Sequence, residues 1–250
     1  MSEPKFYPAL LLLGHTLREL RTQHDVSLRT MARRLGFSPA CLSAWETGFR
    51  RPPAEALGFI LGNLRVRPSL YQKLMQIHRQ SDRPSCVEEL ATDTASLERA
   101  FEEVAVRKFE WAPHCVPGFL RTPEYIRAEL ERRDVAPDDV DQAIFAQQVR
   151  ELDRPKRCPS IVLVSEVAWA CETALPQLEN VTAAIVPTSA SKPEPIDGFT
   201  IYETEAGFFT VVLRHEHARI YLGETEIVKA YRSTFARLQR QAIDSVGALR

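Results

Sequence analysis

The chain has 250 residues, 44% of them hydrophobic and 26% charged, which argues for an ordinary soluble globular protein with room for one large or two modest domains. Its formal net charge of −1 conceals an asymmetry, because residues 1–80 carry 12 Lys and Arg against 5 Asp and Glu, a net of +7, and residues 81–250 balance them with −8. A basic front on an acidic body points to a polyanionic partner for the front alone.

The apolar run Ala9–Leu13 is five residues long, far short of the ~18 that a membrane span needs, so a cytoplasmic chain with no membrane partner is expected. Cys41, Cys86, Cys115, Cys158 and Cys171 are odd in number and form no C-x-x-C pair, and in a reducing compartment they are simplest as thiols.

Residues 1–8 read as a loose polar arm, and Leu10–Gln23 as a helix burying Leu13, Leu17 and Leu20. The stretch from Ser27 to Gly48 then reads as two short helices about a tight turn. Ser27 caps the first, which buries Met31 and Leu35, and Gly36 ends it because a left-handed residue without a Cβ costs least there. Ser38 caps the second and Pro39 opens it, with Leu42 and Trp45 on its inner side. Helices over 54–64 and 69–80 complete a five-helix unit. A polar turn at Gln80–Ser85 follows, then a helix over 90–106. The segment from Phe109 to Leu130 holds Pro113, Pro117, Gly118 and a helix capped by Thr122 and begun by Pro123, and Val140–Leu152 is another helix. Past Pro159 the period changes to that of strands, at Ile161–Val164, Val181–Val186, Phe199–Tyr202, Phe208–Leu213 and Arg219–Leu222. A last amphipathic helix from about Glu226 to Gln241 carries Val228, Tyr231, Phe235 and Leu238 on one side. The fold class expected is α+β: an all-α five-helix N-terminal domain at 1–80, a linker and connecting helix at 81–108, and an α+β regulatory or partner-binding domain at 109–250.

Small Ala32, Gly36 four positions on, and apolar Met31, Leu35, Phe37, Leu42 and Trp45 are the helix-turn-helix signature. From Leu13 to Leu64 the chain resembles the XRE, or lambda-repressor-like, family of DNA-binding domains, including a G-x-R-R-P-like segment after Gly48. The resemblance implies double-stranded DNA as partner and an ion pair between Arg21 and Glu46 that clamps the first helix to the third; the other reading is two solvated charges. The second half, with VPGFLRTPEY, Glu166 at a strand end and NVTAAIVP at 180–187, is similar to the C-terminal domain of unknown function of WhiJ-like regulators. Phe119 and Arg121 stand where that family has Leu and Gln. WhiJ-like proteins commonly lie beside genes for very small proteins, which implies a small partner protein encoded nearby.

In a helix-turn-helix the second helix meets the bases by its N-terminal end, which here presents Pro39, Ala40, Ser43, Ala44 and Thr47. With no Arg, Gln or Asn in that set, hydrogen-bond readout rests on Ser43 and Thr47, and sequence preference is expected to lean on DNA shape and half-site spacing in a homodimer. Phosphates are expected at Ser27, Leu28, Arg29, Ser38, Arg50 and Arg51, from helix N-terminal amides and guanidinium groups, with Arg18 and Arg33 as weaker candidates.

His215-Glu216-His217 would put two imidazoles on one strand face, yet no third ligand follows by spacing, so no metal and no cofactor is expected. No P-loop, G-x-G-x-x-G, G-x-S-x-G or H-E-x-x-H is present, and the chain reads as a non-enzyme. Two other readings share the helix-turn-helix: an antitoxin-type protein that neutralises a partner, and a small-molecule-sensing repressor with an effector pocket near Trp111, Phe119 and Trp169.

Overall fold

A computed structural model of the chain describes residues 7–89, 97–132, 134–152, 158–169, 178–187, 197–205, 207–215 and 217–244, with the backbone alone for 89, 147–152 and 243–244. The chain is α+β and folds into two compact units that interleave along the sequence: Met1–Val104 with Ala206–Val228, and Ala105–Glu205 with Lys229–Arg250. A chain-order division at residues 80 and 108 contains no such interleaving. Among the described residues no helix is long and apolar enough to cross a membrane.

The first unit opens with five helices, α1 (Pro8–Gln23), α2 (Leu28–Leu35), α3 (Pro39–Glu46), α4 (Ala54–Asn63) and α5 (Pro68–Gln80). Their shared core holds Leu13, Leu17, Met31, Leu42, Trp45, Leu57, Ile60, Leu61 and Leu74. Two features of α1 depart from the sequence reading. Pro8 starts it two residues early, and Leu10, Leu11 and Leu12 are buried together with Leu13 and Leu17, so the helix is enclosed well beyond one face. Strand β1 (Ser85–Glu89) and α6 (Leu97–Val104) supply the extra cover by packing on α1.

The unit is completed by β6 (Phe209–Arg214) and β7 (Ala218–Leu222), which form an antiparallel hairpin with β1 on its far side. Glu88 ties this part together. One of its oxygens accepts the Leu97 N–H at 2.7 Å, starting α6, while the other accepts the buried Tyr221 hydroxyl at 2.8 Å. Burial first, then the Glu88 carboxylate, push the Tyr221 phenol far above its usual range, so it stays protonated. The Tyr221 ring stacks on Phe101 at 5.6 Å, and Glu98 holds Arg214 and Arg219 at 2.5 and 2.9 Å.

Within the second unit, β5 (Phe199–Thr204) pairs antiparallel with β2 (Ala105–Ala112). Parallel to β2 runs β3 (Ser160–Ser165), then β4 (Val181–Val186), with the short β8 (Ile243–Asp244) antiparallel at the edge. Between β2 and β3 come a 3-10 turn at Gly118–Leu120, α7 (Pro123–Glu131) and α8 (Pro137–Leu152); α9 (Glu166–Trp169) follows β3. Thr122 caps α7 by accepting the Tyr125 N–H at 3.1 Å. Helix α10 (Thr225–Gln241) brings Tyr231 and Phe235 onto Phe199 and Phe109.

Three sequence expectations need correction. The turn expected to reach Ser85 gives way to strand β1 at that residue; the helix expected over 90–106 is helical from Leu97 and ends at Val104, residues 90–96 lying outside the described set; and 105–112 is a strand. Strand β2 escaped because it carries Lys108 and Glu110 on a buried face, where an apolar alternation would have signalled it. Their 2.8 Å ion pair, with the Lys108 ammonium 4.8 Å from the Phe119 ring and 5.9 Å from the Tyr202 ring, makes that burial tolerable.

Gly14 lets α3 reach α1. A Cβ there would lie 2.4 Å from the Trp45 carbonyl oxygen and 2.8 Å from that of Glu46, and neither backbone atom is able to give way. Gly14→Ala should therefore cost about 3 kcal/mol in urea unfolding, whereas Gly62→Ala, whose Cβ meets nothing and which lies within α4, should leave stability unchanged or raise it slightly. Burial, then the Glu88 charge, push the Cys86 thiol up to about 12, whereas Cys115 is exposed. At pH 8 iodoacetamide should label Cys115 and leave Cys86 unmodified in the folded chain, as read by peptide mass.

Candidate nucleic-acid interface

Helices α2 and α3 are set by caps at both ends of the turn. The Ser27 hydroxyl oxygen accepts the Thr30 N–H at 3.2 Å, starting α2. Gly36 takes φ 73°, and the Phe37 N–H then donates to the Ala32 carbonyl at 2.9 Å, the bond that closes a left-handed helix end. Ser38 accepts the Cys41 N–H at 3.1 Å and Pro39 occupies the first turn, so only Gly36, Phe37 and Ser38 separate α3 from α2. Phe37 packs edge-on against Trp45 at 5.0 Å and fixes the angle between the helices.

Beneath α3, Arg21 and Glu46 meet in a bidentate pair, Nε to Oε1 at 2.7 Å and Nη2 to Oε2 at 2.8 Å, while Nη1 donates to the Val26 carbonyl at 2.8 Å. At 8% and 6% exposure the two charges are buried. The hydrogen bond to Glu46 is the main reason the Arg21 guanidinium sits above its ordinary range, and it stays cationic at any pH the fold survives. One contact thus fastens the end of α1 to the end of α3 and leads the chain from α1 into α2.

Of the residues expected to face bases, Pro39, Ala40 and Thr47 are exposed and Ser43 and Ala44 half-buried, on the side of α3 away from Leu42, Trp45 and Glu46. The Thr47 hydroxyl donates back to the Ser43 carbonyl at 2.9 Å, which leaves its oxygen as an acceptor. Among the residues expected at phosphates, Ser27, Arg29, Ser38, Arg50 and Arg51 are exposed and Leu28 is half-buried against the core. Arg18 and Arg33 are exposed too. Arg51 carries a further tie, donating from Nη2 to the His78 carbonyl at 2.7 Å, while His78 Nε2 lies 2.8 Å from the Pro52 carbonyl and so bears the ring proton. This clasp holds the loop after α3 on α5. From Ser27 to Pro53 the sequence has a single carboxylate, Glu46, against Arg29, Arg33, Arg34, Arg50 and Arg51. Because Glu46 is buried on Arg21, every exposed ionised side chain in that stretch is an arginine.

The three residues expected to line an effector pocket do not share one space. Phe119 and Trp169 pack in one apolar cluster with Ala112, Val162 and Val164. Trp111, next to Ala112 on β2, points to the opposite face, where its register partner Phe199 meets Tyr231 and Phe235 of α10. A cleft of about 250 Å³ lies within the first unit, between the end of α1 and the α4–α5 turn, lined by Thr16, Glu19, His24, Arg65 and Arg67 among others. His215 and His217 fall in the turn between β6 and β7, where the His215 N–H donates to the Ala218 carbonyl at 2.9 Å. The shared strand face expected for them does not exist there, and Glu216 lies outside the described residues. No group of three potential metal ligands occurs among the described residues. Arg121 and Phe119, the two departures in the VPGFLRTPEY segment, have structural partners: Arg121 donates to the Val116 carbonyl at 2.8 Å and to Glu129 at 3.2 Å, and Phe119 roofs Lys108.

The sequence matches the helix-turn-helix domain family over residues 12–82, the segment that holds the capped pair and its clamp. Residues 97–171 match a domain of unknown function, DUF5753. The chain is 35% identical over 86 residues to an uncharacterized HTH-type transcriptional regulator of Mycobacterium tuberculosis, MT0491 in strain CDC 1551 / Oshkosh and Rv0474 in strain ATCC 25618 / H37Rv. That match takes in 34% of this chain and 61% of each relative's length. Among solved structures, the clp gene regulator ClgR from C. glutamicum aligns over 32% of this chain and 97% of its own, at 25% identity and a TM-score of 0.25. TrmBL2, an archaeal chromatin protein, aligns over 77% and 70%, at 10% identity and a TM-score of 0.29. Neither superposition is close enough to bear on fold or function.

Removing one partner of the clamp should hurt more than removing both. Arg21→Ala strands a buried carboxylate and should cost about 3–5 kcal/mol, whereas Arg21→Met combined with Glu46→Leu should recover most of that loss, as read by denaturant unfolding.

Proposed function

We propose that this chain is a transcription regulator that binds double-stranded DNA through α2 and α3, as a homodimer in the cytoplasm and with no catalytic step of its own. In this reading the bases meet Pro39, Ala40, Ser43, Ala44 and Thr47, and the phosphates meet the N-termini of α2 and α3 together with Arg29, Arg50 and Arg51. The observation that carries it is the all-arginine exposed charge from Ser27 to Pro53 around a capped helix whose outer side is uncharged. The M. tuberculosis relatives, named as HTH-type transcriptional regulators, support the same reading. Residues 109–250 act as the regulatory part and bind a small partner protein encoded nearby, in keeping with the WhiJ-like resemblance. The small-molecule reading gains nothing from Trp111, which faces away from Phe119 and Trp169.

The test is selection of genomic fragments by the purified full-length chain, with its mass in solution measured alongside. An inverted repeat with half-sites about one helical turn apart, bound by a dimer, is expected; no enriched sequence would remove the reading. On the selected site, Arg50→Ala with Arg51→Ala should weaken binding to all sequences alike and reduce the slope of log affinity against log salt by about 2. An unchanged slope would overturn the phosphate assignment. Ser43→Ala should alter base preference more than overall affinity, in a competition between the selected site and single-base variants.

A further inference from the structure

Phe49 is the most exposed large apolar side chain among the described residues, 86% open to solvent and two residues beyond the Thr47 cap of α3. Its neighbours hold it there. Gly48 before it takes φ 69° and sits so close to α1 that a Cβ would lie 2.8 Å from the Leu11 Cα, and after it the Arg50 N–H donates to the Ala44 carbonyl at 2.9 Å. The backbone at Phe49 is therefore pinned on both sides while the ring touches solvent, so ordering it against a partner costs little.

The charge around it selects the partner. Four other exposed apolar side chains stand beside carboxylates: Phe59 has Glu55 one turn away, Phe145 has Asp141 one turn away, Val167 follows Glu166, and Val87 precedes Glu88. Phe49 alone among these is followed by two arginines and lies in a stretch whose only carboxylate is neutralised internally. An apolar ring embedded in uncompensated positive charge fits a partner that alternates anionic and apolar surface. The sugar–phosphate strand of DNA does this, with a deoxyribose between each pair of phosphates.

Resting on the DNA-binding reading, we infer that Phe49 packs its ring on the deoxyribose face of the strand whose phosphates Arg50 and Arg51 hold, as an apolar contact that anchors the duplex without reading its sequence. Such a contact differs from a phosphate contact in one measurable way. It releases no counterion, so its loss lowers affinity and leaves the salt slope alone.

The experiment compares full-length wild type, Phe49→Ala and Phe49→Leu on the selected site and on unrelated duplex DNA, across a salt series, with solution mass and thermal unfolding recorded for each. Phe49→Ala should bind both DNAs about tenfold more weakly, as expected for losing part of a buried aromatic side chain, at an unchanged salt slope and an unchanged melting temperature. Phe49→Leu should stay within about threefold of wild type. Phe49→Ala binding as tightly as wild type would overturn the inference and leave the DNA-binding reading standing. So would a loss confined to one sequence, which would place the ring on a base. A change in solution mass on Phe49→Ala would assign the ring to contact between copies of the chain and overturn the inference as well. Failure of the wild type to retain any duplex would overturn both.

Discussion

The close approach of α3 to α1 is the constraint on which the helix-turn-helix depends. Gly14 removes the side chain that would block the Trp45 and Glu46 carbonyls, and Gly48 does the same against Leu11, so the end of α3 lies on α1 with backbone against backbone. The Arg21–Glu46 pair closes the same interface with charge. Each device needs the other: the pair is short because the helices touch, and a buried carboxylate is tolerable because a guanidinium reaches it with two parallel bonds. The outer side of α3 then carries no structural duty, and small side chains can occupy it without loss of fold.

Helix α1 is also where the helix-turn-helix joins the rest of its unit. It bears α3, α5, α6 and β1, with His15 of α1 lying 3.2 Å from Glu103 of α6. The apolar run Leu10–Leu13 follows from this position, because the first turns of a helix covered in this way have no face that water sees. A five-helix piece ending at residue 80 would expose much of that run. The basic module and the first helix of the DUF5753 match therefore belong to one compact unit, although the two matches are separate in sequence.

In the second unit a charged pair serves inside a sheet. Lys108 and Glu110 face the same side of β2 under Phe119, so the strand buries two ionised groups where its neighbours bury valines. Arg121 is likewise engaged, donating to Val116 and Glu129 beside the Tyr125 ring. Both residues that set this VPGFLRTPEY segment apart from the WhiJ-like pattern are used in packing.

The sequence by itself determined what local chemistry decides. Ser27, Gly36, Ser38 and Pro39 act within a few residues of themselves, so the helix-turn-helix and its exposed side were legible, as were five strands rich in β-branched residues and the amphipathic α10. The Arg21–Glu46 contact was legible only through resemblance to a family, since nothing in a spacing of 25 residues brings two charges together. Tertiary structure alone decided the rest. Strand β2 needed a partner across the sheet before Lys108 and Glu110 could be buried, and β1 needed β7, more than 120 residues later. The placing of Trp111 opposite Phe119 and the enclosure of α1 are relations between separate segments. Local propensity cannot encode them, because each exists only once the chain has brought those segments into contact.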